Sequence, residues 1–316
     1  MISLVELLKE IQKSPKAIVM GGAAGSGKSF VIKKYLGDIK GDIFTVKGSD
    51  VPFKYLNLDT YIENEGLSLA KATQNIKQDL SQAKEESKNI LWDATGANVK
   101  NTLSTVSGYK TFMVMVYTHP IVSLLQNFKR DRSLPMGAVF KTWESVYSNI
   151  EEYKNALGEN FQIIENIPPQ FNKDIQEFNK YLNQGYKGVK KYLDNLISQD
   201  PNKFKSSFSK EFSFKDKEVE TFFNNHIKDL DINPNILNNL QKDFEATYEK
   251  KGEDPGKERI LNRIEAFTKS LDKKQQQNIK NIENIVKKLL SSQFKEILNP
   301  KSPEEVLSKL KKFINE

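Results

Sequence analysis

Apolar residues fall into two patterns along this chain, and the change comes near residue 170. Before it, short continuous apolar runs at 17–20, 55–58, 89–92, 111–117 and 161–164 alternate with helix-like stretches at 29–36, 67–87, 120–129 and 137–157. Continuous apolar runs of this length suit strands covered on both faces, and their alternation with helices predicts βαβ units around a parallel sheet of five strands. Pro168 and Pro169 close that region. Beyond Gln170 the strand signal ends. Asp200-Pro201, Asn233-Pro234, Asp254-Pro255 and Ser302-Pro303 each read as a cap followed by proline at the first helical position. Ser302 with Glu305 also fits a capping box. Ile260, Ile264, Phe267 and Leu271 recur at helical spacing, as do Ile279, Ile282, Val286, Leu289 and Leu290. One buried stripe per helix predicts an all-α region, with the Lys/Asn/Gln-rich segment 269–284 as an exposed or mobile helix. The expected organisation is therefore an α/β domain over 1–170 followed by an α-helical domain over 171–316.

Composition narrows the classes. In 316 residues there are no cysteines and two separated histidines, His119 and His226, which excludes disulfides and thiolate chemistry and argues against a histidine-rich metal site. No run approaches the length of a transmembrane helix, and the acidic, amphipathic first ten residues read as a short helix instead of a secretory signal. A soluble, cytoplasmic protein is expected. The net charge of +7 is spread unevenly, with 28 Lys/Arg against 23 Asp/Glu from residue 171 onward and 20 against 18 before it. That asymmetry favours an acidic partner such as nucleic acid, or a solvated helical surface.

The chemistry is concentrated in four segments of the first half. Gly22, Ala23, Ala24, Gly25, Ser26, Gly27, Lys28 and Ser29 match G-x-x-x-x-G-K-[ST] between a predicted strand and a predicted helix. In that context loop N–H groups turn onto phosphate oxygens, Lys28 reaches the β- and γ-phosphates, and the Ser29 hydroxyl ligates Mg²⁺. ATP or GTP binding follows. Asp59 stands after the second predicted strand, where a carboxylate can take the proton of an attacking hydroxyl or else cap the next helix. Asp93, Thr95 and Asn98 follow the third predicted strand. There Asp93 can hold Mg²⁺ through water or orient an acceptor, and Thr95 and Asn98 can touch one, unless the segment is a plain turn. Arg130 and Arg132, before Leu134-Pro135, suit a lid whose guanidinium groups close over phosphates, or a solvated basic turn.

In this order the four segments resemble the bacteriophage 5′-polynucleotide kinases and the related zeta-toxin-like P-loop kinases, over roughly residues 15–167. The resemblance implies a P-loop kinase fold, ATP and Mg²⁺ as nucleotide and metal, and transfer of a phosphoryl group to a hydroxyl. It places the general base on Asp59, acceptor contacts at Asp93, Thr95 and Asn98, and the arginine lid at Arg130 and Arg132, with 139–153 as the following helix. Polynucleotide kinases carry an arginine directly after the Asp-x-Tyr segment, where this chain has Ile62. A phosphatase signature D-x-D-x-[TV] is absent. A nucleic-acid hydroxyl, on a 5′ end or a hydroxymethylated base, is the first expectation, and a nucleotide sugar or a non-catalytic nucleotide-binding role in a phage particle are the alternatives.

Overall fold

A computed structural model describes residues 14–64, 66–130, 133–200, 273 and 276–316. The apolar run ahead of the glycine loop is β1 (Lys16–Gly21), buried from Ala17 onward. The loop leads into α1 (Lys28–Val31), which continues as a π-helical turn over Ile32–Leu36. Next come β2 (Gly37–Lys40), β3 (Ile43–Val46) and β4 (Pro52–Asn57), then α2 (Leu58–Asn64) and α3 (Leu69–Glu85). They are followed by β5 (Ile90–Asp93), α4 (Val99–Thr105) and β6 (Lys110–Tyr117). Helices α5 (Pro120–Asn127), α6 (Met136–Ser148) and α7 (Ile150–Leu157) precede β7 (Phe161–Glu165). The rest of the described chain is helical: α8 (Asn172–Leu182), α9 (Gly185–Gln199), α10 (276–290), α11 (Ser292–Leu298) and α12 (Pro303–Asn315).

The strands form one sheet in the order β2-β3-β4-β5-β1-β6-β7. From β4 to β7 in that order every neighbouring pair is parallel. These strands lie at the apolar runs of the sequence. The sheet has seven strands where the pattern predicts five, because β2 and β3 add antiparallel to β4. Both are four residues long; β2 presents no apolar run, and in the short β3 only Phe44 and Val46 are buried. Their pairing is tight at Gly37, where a Cβ would stand 2.0 Å from the Thr45 carbonyl oxygen. Parallel pairing brings the carboxyl ends of β4, β5 and β1 to one edge of the sheet. Asn57 and Asp93 are register partners there, as are Asp93 and Met20. That edge is where open α/β sheets bind ligands.

The chain divides into two compact units, one holding Met1–Ser123, Ser145–Phe171 and Ser292–Glu316, the other Leu124–Glu144 and Asn172–Ser291. In the first unit α12 lays Val306, Leu310, Phe313 and Ile314 into the same core as Ile18, Met20, Phe112, Val114 and Val116 of the sheet. The Phe112 and Phe313 rings lie 5.3 Å apart, Lys16 Nζ donates to the Ile314 carbonyl at 2.7 Å, and Lys301 N donates to the Ile163 carbonyl at 2.8 Å. The helix starts where its local signal says it should. The Ser302 side chain accepts from Glu305 N, and the Glu305 side chain accepts from Ser302 N.

In the second unit α6 meets α10. A Cβ on Gly137 would stand 2.7 Å from Asn278, and Glu144 accepts a hydrogen bond from Asn284 and pairs with Lys288 at 3.8 Å. Along α10 the buried residues include Asn281, Ile285 and Val286, whereas Leu290 is 49% exposed and so leaves the predicted stripe. The helix expected over residues 1–10, the helix starts at 201, 234 and 255 and the stripe at 260–271 lie outside the described residues. No described helix is long and apolar enough to cross a membrane.

Candidate active site

The glycine loop is held from behind, and that determines which of its groups face outward. Gly25 (φ 73°) and Gly27 (φ 82°) adopt left-handed conformations, which place successive amides on the same side of the loop. Ser123 Oγ donates to the Ala24 carbonyl at 2.6 Å, and Asn166 Nδ2 donates to the Ser26 carbonyl at 2.8 Å. Gly22 N donates to the Thr95 carbonyl at 2.9 Å, and Ser26 N to the Ala23 carbonyl at 3.1 Å. Among the described residues no carbonyl takes the N–H groups of Ala24, Gly25 or Gly27. Together with the first N–H groups of α1 they make a cradle of donors with partial positive charge. Lys28, half-buried, donates to the Gly22 carbonyl at 3.2 Å, and Ser29 is exposed at the start of α1. Gly22 admits no side chain, since a Cβ there would stand 2.6 Å from Ser26 Oγ and 2.9 Å from the Val116 carbonyl. The buried Ser26 hydroxyl has no partner among the described residues.

Beside the loop, Asp93 ends β5 and is 8% exposed. Its Oδ2 accepts from Asn57 Nδ2 at 2.7 Å and from the Tyr55 hydroxyl at 3.1 Å. Its Oδ1 is buried and has no partner among the described residues. Burial raises the Asp93 carboxyl above the usual carboxylate range, against the lowering pull of the Lys28 charge and of those two hydrogen bonds. The negative charge of Asp59 adds to the rise, and it also helps burial push the Tyr55 hydroxyl upward.

Asp59 itself is exposed in the first turn of α2. It is not the cap of that helix. Asn57 fills that position, its Oδ1 accepting from Asp59 N at 2.7 Å. Asn57 therefore contacts both sides of the crevice, a role that its place ahead of an acid in the sequence does not reveal.

The segment after Asp93 is strapped down on two sides. The Ala94 amide donates to the Met20 carbonyl at 3.0 Å. The Gly96 carbonyl accepts from the Tyr153 hydroxyl at 3.0 Å, and the Ala97 carbonyl accepts from Asn149 Nδ2 at 3.0 Å. The Thr95 side chain is exposed, and its hydroxyl accepts from Ala97 N at 3.4 Å. Asn98 caps α4, its Oδ1 accepting from Asn101 N at 2.8 Å, so its acceptor oxygen already has a structural task. Two residues beyond the end of β6, burial holds the His119 imidazole down to about 4, so it is neutral at pH 7.

Arg130 lies in the second unit and is exposed, three residues after the end of α5. The fully buried Asn127 donates to the Leu134 carbonyl at 2.8 Å and accepts from Leu134 N at 3.0 Å. Arg132 lies outside the described residues.

The donors present suit Mg²⁺. No group of three or more His, Cys, Asp or Glu forms a metal cluster among the described residues. A Mg²⁺ ion is commonly held by one or two protein oxygens together with nucleotide phosphates and waters. Ser29 Oγ and the unpartnered Asp93 Oδ1 would be those oxygens, and the ion would neutralise phosphate charge.

No protein-family model matches the sequence, and neither does any curated protein. In fold, the chain is similar to the structure of the PezAT chromosomal toxin–antitoxin system of Streptococcus pneumoniae, with a TM-score of 0.35 and 15% identity over 51% of this chain and 75% of that one. It is also similar to the AvrRxo1-ORF1:AvrRxo1-ORF2 complex, native (TM-score 0.37, 15% identity) and with ATP (TM-score 0.36, 16% identity). Those two matches cover 52% of this chain and 59% of theirs. The likenesses are partial, and the functional reading rests on the site itself.

Proposed function

We propose that the chain is an ATP-dependent kinase that transfers the γ-phosphoryl group to a hydroxyl. One observation carries this: a backed, donor-rich glycine loop lies at the same sheet edge as a buried carboxylate with one unpartnered oxygen, and an exposed carboxylate begins the next helix along. In this reading the loop N–H groups and Lys28 hold the β- and γ-phosphates. Asp59 takes the proton of the acceptor hydroxyl as its oxygen bonds to the γ-phosphorus, and the β–γ bridging P–O bond breaks with its electron pair leaving on ADP. Arg130 and Arg132 are the candidate lid cations. Thr95 is the exposed acceptor-contact candidate of its segment, with Asn98 a weaker one because its oxygen caps α4.

The preferred acceptor is a small hydroxylated metabolite. Neither 57–64 nor 93–98 contains a lysine or arginine, and Lys54 is paired with Asp42 at 2.7 Å. A polynucleotide end would need cations there. The net charge of +7 favours the second reading, a hydroxyl on nucleic acid. Incubation with γ-labelled ATP and Mg²⁺ against nucleotide sugars, 5′-hydroxyl DNA and RNA and hydroxymethylated DNA decides between them by which becomes labelled. Absence of transfer to every hydroxyl, in a protein that binds ATP, would contradict the kinase reading.

A further inference from the structure

Asn57 is a single carboxamide with three short contacts, all at the point where the two halves of the crevice meet. Its Nδ2 donates at 2.7 Å to Asp93 Oδ2 and at 2.7 Å to the Tyr55 hydroxyl, and its Oδ1 accepts at 2.7 Å from Asp59 N. We infer that Asn57 is a positioning residue for phosphoryl transfer, fixing the Asp93 carboxylate on the nucleotide side and the turn that carries Asp59 on the acceptor side. The inference rests on the kinase reading and adds to it the link between its two carboxylates.

The register of the sheet makes the link possible, because Asn57 and Asp93 are direct partners on parallel strands. Asp93 is further anchored by the hydrogen bond from Ala94 N to β1. With Oδ2 held by two donors, the carboxylate has no freedom to rotate and find a partner for Oδ1. That oxygen is buried and has no partner among the described residues. A helix cap needs only an acceptor, and Ser, Thr, Asp and Asn all supply one. Donating to both Asp93 Oδ2 and the Tyr55 hydroxyl while accepting from Asp59 N takes two donors and an acceptor on one side chain, which among those residues only asparagine has. The chemistry of the three contacts therefore asks for more than a cap.

Two substitutions separate the tasks. Asn57→Asp keeps the acceptor for Asp59 N but sets a carboxylate against Asp93, while Asn57→Ala removes both contacts. Turnover and KM are measured for each protein, alongside the Mg²⁺ concentration needed to bind a fluorescent ATP analogue and the thermal unfolding midpoint. Asn57→Asp is expected to lower kcat about 10–100-fold, the usual effect of losing a group that orients a ligating side chain. It should also raise the Mg²⁺ requirement for analogue binding, with little change in acceptor KM. Asn57→Ala should lose at least as much. An Asn57→Asp protein with wild-type turnover and wild-type Mg²⁺ dependence would overturn the inference and leave Asn57 a cap. So would losses in both variants that merely follow the fraction unfolded. A wild-type protein that binds ATP but labels no hydroxyl would refute the kinase reading alone. The Mg²⁺ dependence of analogue binding would then still decide the Asn57–Asp93 link.

Discussion

Replacing Leu310 by alanine tests whether the last helix belongs to the nucleotide-binding unit. Leu310 is fully buried in α12 and shares a core with Ile18 and Met20 of β1 and with Phe112, Val114 and Val116 of β6. Removing a buried leucine side chain loses transfer free energy and leaves a cavity, at a cost of about 2–5 kcal/mol. A single domain is stable by about 5–15 kcal/mol in total, so this is a large share. At roughly 2–4 °C per kcal/mol for a domain of this size, the unfolding midpoint should fall by roughly 4–20 °C. The assay is thermal unfolding with and without Mg-ATP, which raises the midpoint of whichever unit binds it. The ATP-sensitive transition is the one that should move. Leu290→Ala, at a position 49% exposed in the other unit, should change stability by less than about 0.5 kcal/mol. An ATP-sensitive transition unmoved by Leu310→Ala would refute the packing argument.

Three further outcomes are expected. Lys28→Ala should abolish binding of a fluorescent ATP analogue while the far-UV spectrum stays that of the wild type, because Lys28 is half-buried at the loop and absent from the core. Asp93→Asn should raise the unfolding midpoint at pH 7 and lower turnover. Asp93 is held above its ordinary value, so stability is lost as pH rises from that ordinary value through the raised one, and asparagine removes the penalty. His119 has the opposite sense. Its folded value of about 4 lies below the unfolded one, so the stability of the neutral imidazole is complete above about 6.5 and is lost as pH falls toward 4. Denaturant unfolding at pH 7 and pH 4.5 should therefore show His119→Gln losing less stability than wild type, by up to about 3 kcal/mol.

Local geometry was readable from the sequence, and long-range partnership was not. The glycine loop and the Ser302–Glu305 box are short-range devices whose residues specify their own geometry, and both occur where the pattern places them. β1, β5, β6 and β7 announce themselves because burial on both faces leaves continuous apolar runs. β2 and β3 carry four residues each on a half-wet edge, too short for alternation to stand out. In α12, the stripe of Val306, Leu310 and Phe313 says that one face is buried but is silent on whether helix or sheet receives it. Asn57 reads as a strand-end polar residue, since its partnership with Asp93 exists only once β4 and β5 are in register. The oxygen of Asn98 caps α4, a partnership that its place after a strand does not reveal.

The central claim is that a nucleotide held at the glycine loop gives up its γ-phosphoryl group to a hydroxyl deprotonated by Asp59. The direct test is Asp59→Asn, with transfer from γ-labelled ATP to the preferred acceptor and ATP affinity measured on the same preparation. Transfer should fall by about 10²–10⁴, the range of a positioned general base, while ATP affinity stays within a few-fold because Asp59 begins α2 and is no part of the loop. Undiminished transfer by Asp59→Asn would contradict the account.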